Sequence, residues 1–268
     1  MLSEKVLVVT GASGGIGSCL VGAFHGEVAG MVAASRRPLP PTPGLEAASA
    51  SGEFLHVRGD LAEEDGVVAL FDAARERFGR VDALLNCVGG SLYSHPLAEF
   101  PVEEFDEVVR VNLRSAFLLT KHFLREFSAA GRGPGRERGG GNGRGGNLVH
   151  LVSAAARHPS RGKGPYAVAK AGVARLVQQA AVEGAPLGVR VNGVSPCYVF
   201  TPRHERELAQ KAASRGVPVE ELVEEVLETQ LLRKRMEPGH LVPAVRLLLE
   251  TEVMTGQVVN VAMGQVLN

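Results

Sequence analysis

A β-branched run, Lys5–Thr10, meets the turn Thr10-Gly11-Ala12-Ser13-Gly14-Gly15-Ile16-Gly17, and a helical pattern begins where that turn ends. A short strand passing through a glycine turn into a helix directs backbone amides and the helix's positive end at one spot, which suits a pyrophosphate. Gly11 fits the tight turn, while Gly15 and Gly17 permit close approach by ligand and backbone; Ser13 and Ile16 belong to the same candidate surface. Glycine turns also occur in structural loops, so the position directly after the first strand carries the weight here.

The same alternation runs along the chain. Segments 28–34, 54–57, 81–86, 148–152, 189–194 and 257–261 read as further strands, and helical patterns occupy about 16–28, 63–78, 102–129, 165–183 and 240–250. Strands and helices alternating at these lengths indicate an α/β fold with a mostly parallel, seven-stranded sheet covered on both faces. No internal repeat or long linker divides the 268 residues, so one domain spanning 1–268 is expected. Two segments break the regularity. Residues 36–52 are too rich in proline for a helix over much of their length. Residues 131–146 hold nine glycines and a small excess of arginine, which reads as a flexible surface insertion.

Charge and cysteine usage narrow the classes. Basic and acidic residues balance at 29 each, so no global attraction to nucleic acid or membrane is expected. Cys19, Cys87 and Cys197 have neither metal-ligand spacing nor the density of a secreted disulfide scaffold, which fits a reducing, cytoplasmic setting. Residues 1–10 enter a strand at once, leaving no room for a signal peptide, and no apolar run reaches membrane-spanning length. His204 and His240 are isolated in sequence, so no metal site is expected.

The chemistry-bearing residues fall at two places. After the second strand stand Ser35 and Arg36, where an acidic residue would favour an unphosphorylated ribose; a guanidinium there pairs with a 2′-phosphate and favours NADP. Asp60, just beyond the third strand and next to Leu61, is positioned to accept a hydrogen bond from an adenine amine or to cap a helix. Further on, Tyr166 and Lys170 are four residues apart and share a helix face. A nearby ammonium stabilises phenolate and lets the phenol exchange protons near neutral pH. Ser153, thirteen positions upstream at a strand end, can hydrogen-bond the same substrate oxygen.

In these motifs the chain resembles the classical short-chain dehydrogenase/reductase family over nearly its whole length, which implies a Rossmann-like three-layer α/β/α sandwich. The resemblance assigns Tyr166 as acid or base, Ser153 as orienter and oxyanion partner, and Lys170 as pKa modifier and ribose ligand. It gives Asn112 a place in a water-linked proton relay. Asn86-Cys87-Val88-Gly89 is an altered form of the family's fourth-strand signature, with Asn86 and Gly89 kept near the cofactor. Pro196, Val199 and Thr201 fall in the segment that flanks the nicotinamide, and residues 202–226 where a variable substrate lid is carried. Cys87, Val88, Cys197 and Ala262-Met263-Gly264 depart from the family pattern. The activity implied is NADP(H)-dependent interconversion of a ketone or aldehyde with an alcohol. One alternative is a 3-oxoacyl-carrier-protein or polyketide ketoreductase, with Arg125, Arg132 and Arg136 as conceivable carrier contacts. The other is an inactive, cofactor-binding scaffold. Ser91, Tyr93, Ala155 and Tyr198 are the candidate substrate wall, joined by His95, Arg157 and His158. A homotetramer or homodimer is implied, with Phe117, Leu118, Val173 and Leu176 suited either to an interface or to the core.

Overall fold

The computed structural model describes residues 1–128 and 145–267. Most of the glycine-rich stretch 131–146, with Arg132 and Arg136, lies outside the described residues. Seven strands, β1 (Val6–Thr10), β2 (Gly30–Ser35), β3 (Phe54–Arg58), β4 (Ala83–Asn86), β5 (Asn147–Leu151), β6 (Arg190–Pro196) and β7 (Val258–Val261), form one sheet in the order β3-β2-β1-β4-β5-β6-β7. Every neighbouring pair is parallel, so "mostly parallel" resolves to wholly parallel among the described residues.

A parallel sheet must be covered on both faces, and the strands show it. β1, β2 and β4 are buried at every position. Alternate residues serve opposite layers. Leu7, Val9, Met31 and Leu85 pack with Leu20 and Phe24 of helix α1 (Gly15–Phe24), Leu45 of α2 (Leu45–Ser51) and Leu248 of the last helix, Val242–Glu250. Val8, Val32, Leu84 and Leu148 pack with Phe71 of α3 (Glu64–Phe78) and with two further helices on the other face. These are the helix Ser115–Phe127, through Leu119 and Phe123, and the helix Gly164–Gly184, through Val177.

The single helical pattern 102–129 resolves into α4 (Val102–Val109), a π turn at Arg110–Arg114 and α5 (Ser115–Phe127). One inserted residue rotates the helix face, but Arg110–Arg114 hold no proline or glycine to mark the break, so the sequence reads as continuous. Within 36–52 a short α2 does form, but only at Leu45–Ser51, after the last proline. Beyond α6 (Gly164–Gly184), helices α7 (Pro202–Arg215) and α8 (Val219–Glu228) build a satellite cluster around Phe200, Leu208 and Leu222; α9 is Val242–Glu250. Of the candidate interface residues, Leu118 and Val173 are core, whereas Phe117 is exposed.

A buried polar chain ties the central strands together. The Thr10 hydroxyl donates to Asn86 Oδ1 at 3.0 Å, and the Val88 amide donates to the same oxygen at 3.0 Å. Asn86 Nδ2 pairs with His150 Nδ1 at 3.0 Å, and His150 Nε2 pairs with the Thr120 hydroxyl at 3.0 Å. Burial, aided by the Lys170 charge, pushes the His150 pKa down to about 3, so its ring is a neutral hydrogen-bonding link. Replacing Asn86 by leucine strands several of these groups at about 1–3 kcal/mol each. Asn86→Leu is therefore expected to lose at least about 2 kcal/mol of stability, read as a lower urea midpoint at unchanged slope.

Candidate active site

The sheet order reverses between β1 and β4, so the connections leaving their C-terminal ends run to opposite sides and leave a crevice. A cleft of about 800 Å³ opens there. The turn after β1 lines it. Helix α1 starts at Gly15 without a side-chain cap, and the first intrahelical bond comes from the Ser18 amide, so the amides before it are not taken up by the helix. A Cβ on Gly17 would lie 2.3 Å from the Gly11 carbonyl oxygen, so only glycine lets the helix start seat against the turn. An uncapped, positive helix end beside a bare glycine backbone fits the pyrophosphate of a dinucleotide.

The far end of the cleft beside that turn is formed by Ser35, Arg36, Asp60 and Leu61. The Ser35 hydroxyl is already occupied, donating to the Arg37 carbonyl at 2.7 Å and pairing with His56 Nε2 at 2.9 Å; it shapes the turn. Arg36 is exposed and has no direct side-chain hydrogen bond or ion pair among the described residues. Asp60 accepts from the Ala62 amide at 3.1 Å and from Arg110 at 3.0 Å. Burial opposes its ionisation, but the Ala62 amide and Arg110 outweigh burial and hold its pKa below the usual carboxylate value.

At the other end β5 and α6 bring the proton-handling residues together. Lys170 is buried, and its ammonium donates to the Leu151 carbonyl at 2.8 Å and sits 5.9 Å from the centre of the Tyr166 ring. Ser153 follows β5 by two residues, and its hydroxyl accepts from the Ala155 amide at 3.2 Å while lying close enough to the Tyr166 phenol to favour its ionised form. Burial raises the phenol pKa; the Ser153 hydroxyl and the Arg203 charge oppose that rise. Burial lowers the Lys170 pKa to about 8 against the Cys87 thiol's opposing pull, and pushes Cys87 up to about 12. Cys87 is thus a protonated packing residue rather than a thiolate.

The π turn positions Asn112. Its Oδ1 accepts from the Gly90 amide at 2.9 Å, and its Nδ2 donates to the Gly90 carbonyl at 3.1 Å and the Val108 carbonyl at 2.9 Å. Gly89 has φ +134, and a Cβ there would lie 2.5 Å from Asn112 Oδ1 and 3.2 Å from Lys170 Nζ. Asn112, Gly89 and Lys170 therefore form one packed unit behind the tyrosine.

Most of the sequence-chosen residues line the cleft: Gly11, Ser13, Gly15, Ile16, Gly17, Gly89, Ser91, Ala155, Pro196, Tyr198, Val199 and Thr201 join Ser153, Tyr166 and Lys170 there. Three do not. Asn86 is turned into the buried polar chain, Asn112 sits behind the wall, and Tyr93 stays at the surface. His95 is pinned away from the cleft by Glu104 at 2.8 Å. Lys163, Arg203, Arg206 and Gln265 line the cleft but carry no motif. Only the placement of a lid after Thr201 hinted at the two arginines.

Fold and site together define an oxidoreductase that uses a nicotinamide dinucleotide on small carbonyl or alcohol substrates. A family model described as short chain dehydrogenase matches residues 5–213, and the chain belongs to the short-chain dehydrogenase/reductase family. It is 34% identical over 200 residues to the cis-4-hydroxycyclohexanecarboxylate dehydrogenase of Sinomonas cyclohexanicum, covering 75% of each chain. It is 32% identical over 267 residues to the (5R,7aS)-5-hydroxy-7a-methyl-1-oxo-2,3,5,6,7,7a-hexahydro-1H-indene-carboxyl-CoA reductase of Mycobacterium tuberculosis, covering 98% of this chain and 93% of that one. The crystal structure of levodione reductase superposes with a TM-score of 0.83 at 26% identity, over 99% of this chain and 98% of that one.

The buried ammonium gives a pH signature. With a folded pKa of about 8 against the ordinary 10.5, the unfolded chain binds the extra proton between those values, so stability rises with pH across that window. Lys170→Met removes this contribution. The native chain is expected to gain on the variant as pH rises from about 8 towards 10.5, measured by urea melts at each pH. A constant difference across that window would contradict the assignment.

Proposed function

We propose that the protein is an NADP(H)-dependent reductase that interconverts a ketone or aldehyde with an alcohol, with Tyr166 as the proton donor and acceptor. The observation that carries this reading is the Ser153–Tyr166–Lys170 arrangement in the same cleft as an uncapped helix start. A nicotinamide dinucleotide bound along the cleft supplies or takes the hydride. Gly11, Ser13, Gly15, Ile16 and Gly17 hold its pyrophosphate, Asp60 and Leu61 border its adenine, and Pro196, Val199 and Thr201 border its carboxamide end. Lys170 holds its ribose. Ser153 and Tyr166 bind the substrate oxygen, and Tyr166 delivers its phenolic proton there while Lys170 stabilises the phenolate left behind. Asn112, fixed by both polar groups of Gly90, orders the Lys170 side of a relay that reprotonates the tyrosine.

The preference for the phosphorylated cofactor rests on Arg36, an unpaired guanidinium following β2 where no carboxylate stands to grip a free ribose hydroxyl. Ser35 supports it indirectly by fixing the turn. Similarity to relatives named for a hydroxycyclohexanecarboxylate and for a carboxyl-CoA supports a carbonyl or alcohol substrate. Exposed Phe117 on α5 supports a homo-oligomer, and three free cysteines fit a cytoplasmic setting.

Titration of reduced-nicotinamide fluorescence at fixed salt and pH tests the cofactor assignment. NADPH is expected to bind at least tenfold tighter than NADH, about 1.4 kcal/mol, and Arg36→Glu to abolish that margin. Equal or tighter NADH binding by the native chain would overturn it, and binding of neither would remove the oxidoreductase reading.

A further inference from the structure

We infer that the substrate carries a carboxylate, and that Lys163 and Arg203 receive it at the mouth of the cleft. This deepens the carbonyl-reductase reading and rests on it.

The two cations come from different elements that frame the same opening. Lys163 immediately precedes α6, so it stands just before the turn that carries Tyr166. Arg203 lies in the first turn of α7, directly after Thr201 and Pro202. Its Nη2 donates to the Ser91 carbonyl at 2.9 Å and its Nε to Glu207 at 2.6 Å, so the guanidinium spans from the loop after β4 to the lid helix. Arg203 is close enough to act electrostatically on both the Tyr166 phenol and the Lys163 ammonium. Lys163 is therefore within the field of the reacting end of the cleft.

Charge at this mouth is unbalanced. Lys163, Arg203 and Arg206 line it against the single carboxylate of Glu207, and that carboxylate is already bonded to Arg203. Lys163 has no hydrogen bond or ion pair to its ammonium among the described residues, although it is half-buried. Burial lowers its pKa, Arg203 and Lys211 push in the same direction, and Glu207 opposes them. A partly desolvated ammonium without a direct partner is costly, and an anion supplies the missing interaction. The Ser91 hydroxyl, also on the cleft wall, is shielded from solvent and lacks a partner, leaving a second polar group for the same ligand.

The geometry also divides the substrate's two groups. Ser153 and Tyr166 take the carbonyl oxygen, while Lys163, just before the helix turn of Tyr166, takes the carboxylate at the rim. An oxo acid supplies a direct partner to the Lys163 ammonium, whereas a neutral ketone leaves it without one; Arg203 is already held by Glu207 and the Ser91 carbonyl.

Two acid–ester pairs test this with the full-length protein and saturating NADPH: acetoacetate against methyl acetoacetate, and 4-oxocyclohexanecarboxylate against its methyl ester. The native enzyme is expected to favour the acid by at least about tenfold in kcat/KM for at least one pair, chiefly through KM. Lys163→Met should bring the acid-to-ester ratio near one, Arg203→Leu should lower it, and Lys163→Arg should restore it. Equal or better use of the esters by the native enzyme, or an undiminished ratio in Lys163→Met, would overturn the inference while leaving the reductase reading intact. If neither pair oxidises NADPH, calorimetry of cyclohexanecarboxylate added to the NADP complex decides. Binding that Lys163→Met loses supports the site, and no binding by the native protein overturns it. Failure of NADPH itself to bind would instead remove the reading beneath.

Discussion

The bond from the Lys170 ammonium to the Leu151 carbonyl joins the second turn of α6 to the tip of β5 at 2.8 Å, with the charge buried. Placing a cation there is unfavourable in isolation, and desolvation draws its pKa down to about 8. What it fixes is register. Tyr166 lies one turn earlier on the same helix, and Ser153 lies two residues beyond Leu151, so one hydrogen bond sets the phenol against the hydroxyl that orients it. The central strands behind are locked by Thr10, Asn86, His150 and Thr120, which keeps the C-terminal edge of the sheet from shifting under the site.

Glycine and the π turn complete that geometry from the other side. Asn112 is delivered by a one-residue helical insertion and clamped on both polar groups of Gly90. Gly89 leaves the space in which Asn112 and Lys170 approach each other. The departures Cys87 and Val88 are accommodated because the thiol packs as a protonated, apolar group beside Lys170. Cationic groups then lie at both ends of the cleft, Arg36 beyond the glycine turn and Lys163 with Arg203 at the mouth. Its polarity therefore suits an anionic cofactor with an anionic substrate.

Much of this was legible in the chain because it is written in local spacing. β-Branched runs between helices marked all seven strands to within two residues at their ends, and the four-residue step from Tyr166 to Lys170 placed both on one helix face. What was not legible depends on where a side chain turns after the backbone is set. Asn86 sits at the cleft in sequence terms, yet alternation along β4 and the partner His150 take it into the sheet interior. Ser35 reads as a cofactor contact, but its hydroxyl closes its own turn with the Arg37 carbonyl. The break at Arg110–Arg114 carries no proline or glycine to announce it. Lys163 and Arg203, forty positions apart, become neighbours only through the packing of α6 against the segment after β6, so no local pattern announces them.

The central claim is that the Tyr166 phenol is the group exchanging the proton with the substrate oxygen. The direct measurement is ketone-dependent NADPH oxidation by the native protein and by Tyr166→Phe, each at saturating NADPH, with NADPH binding measured in parallel. Loss of the hydroxyl alone should lower turnover by about 10²–10⁴-fold while NADPH binding persists. Full turnover by Tyr166→Phe would contradict the account and require another proton donor in the cleft.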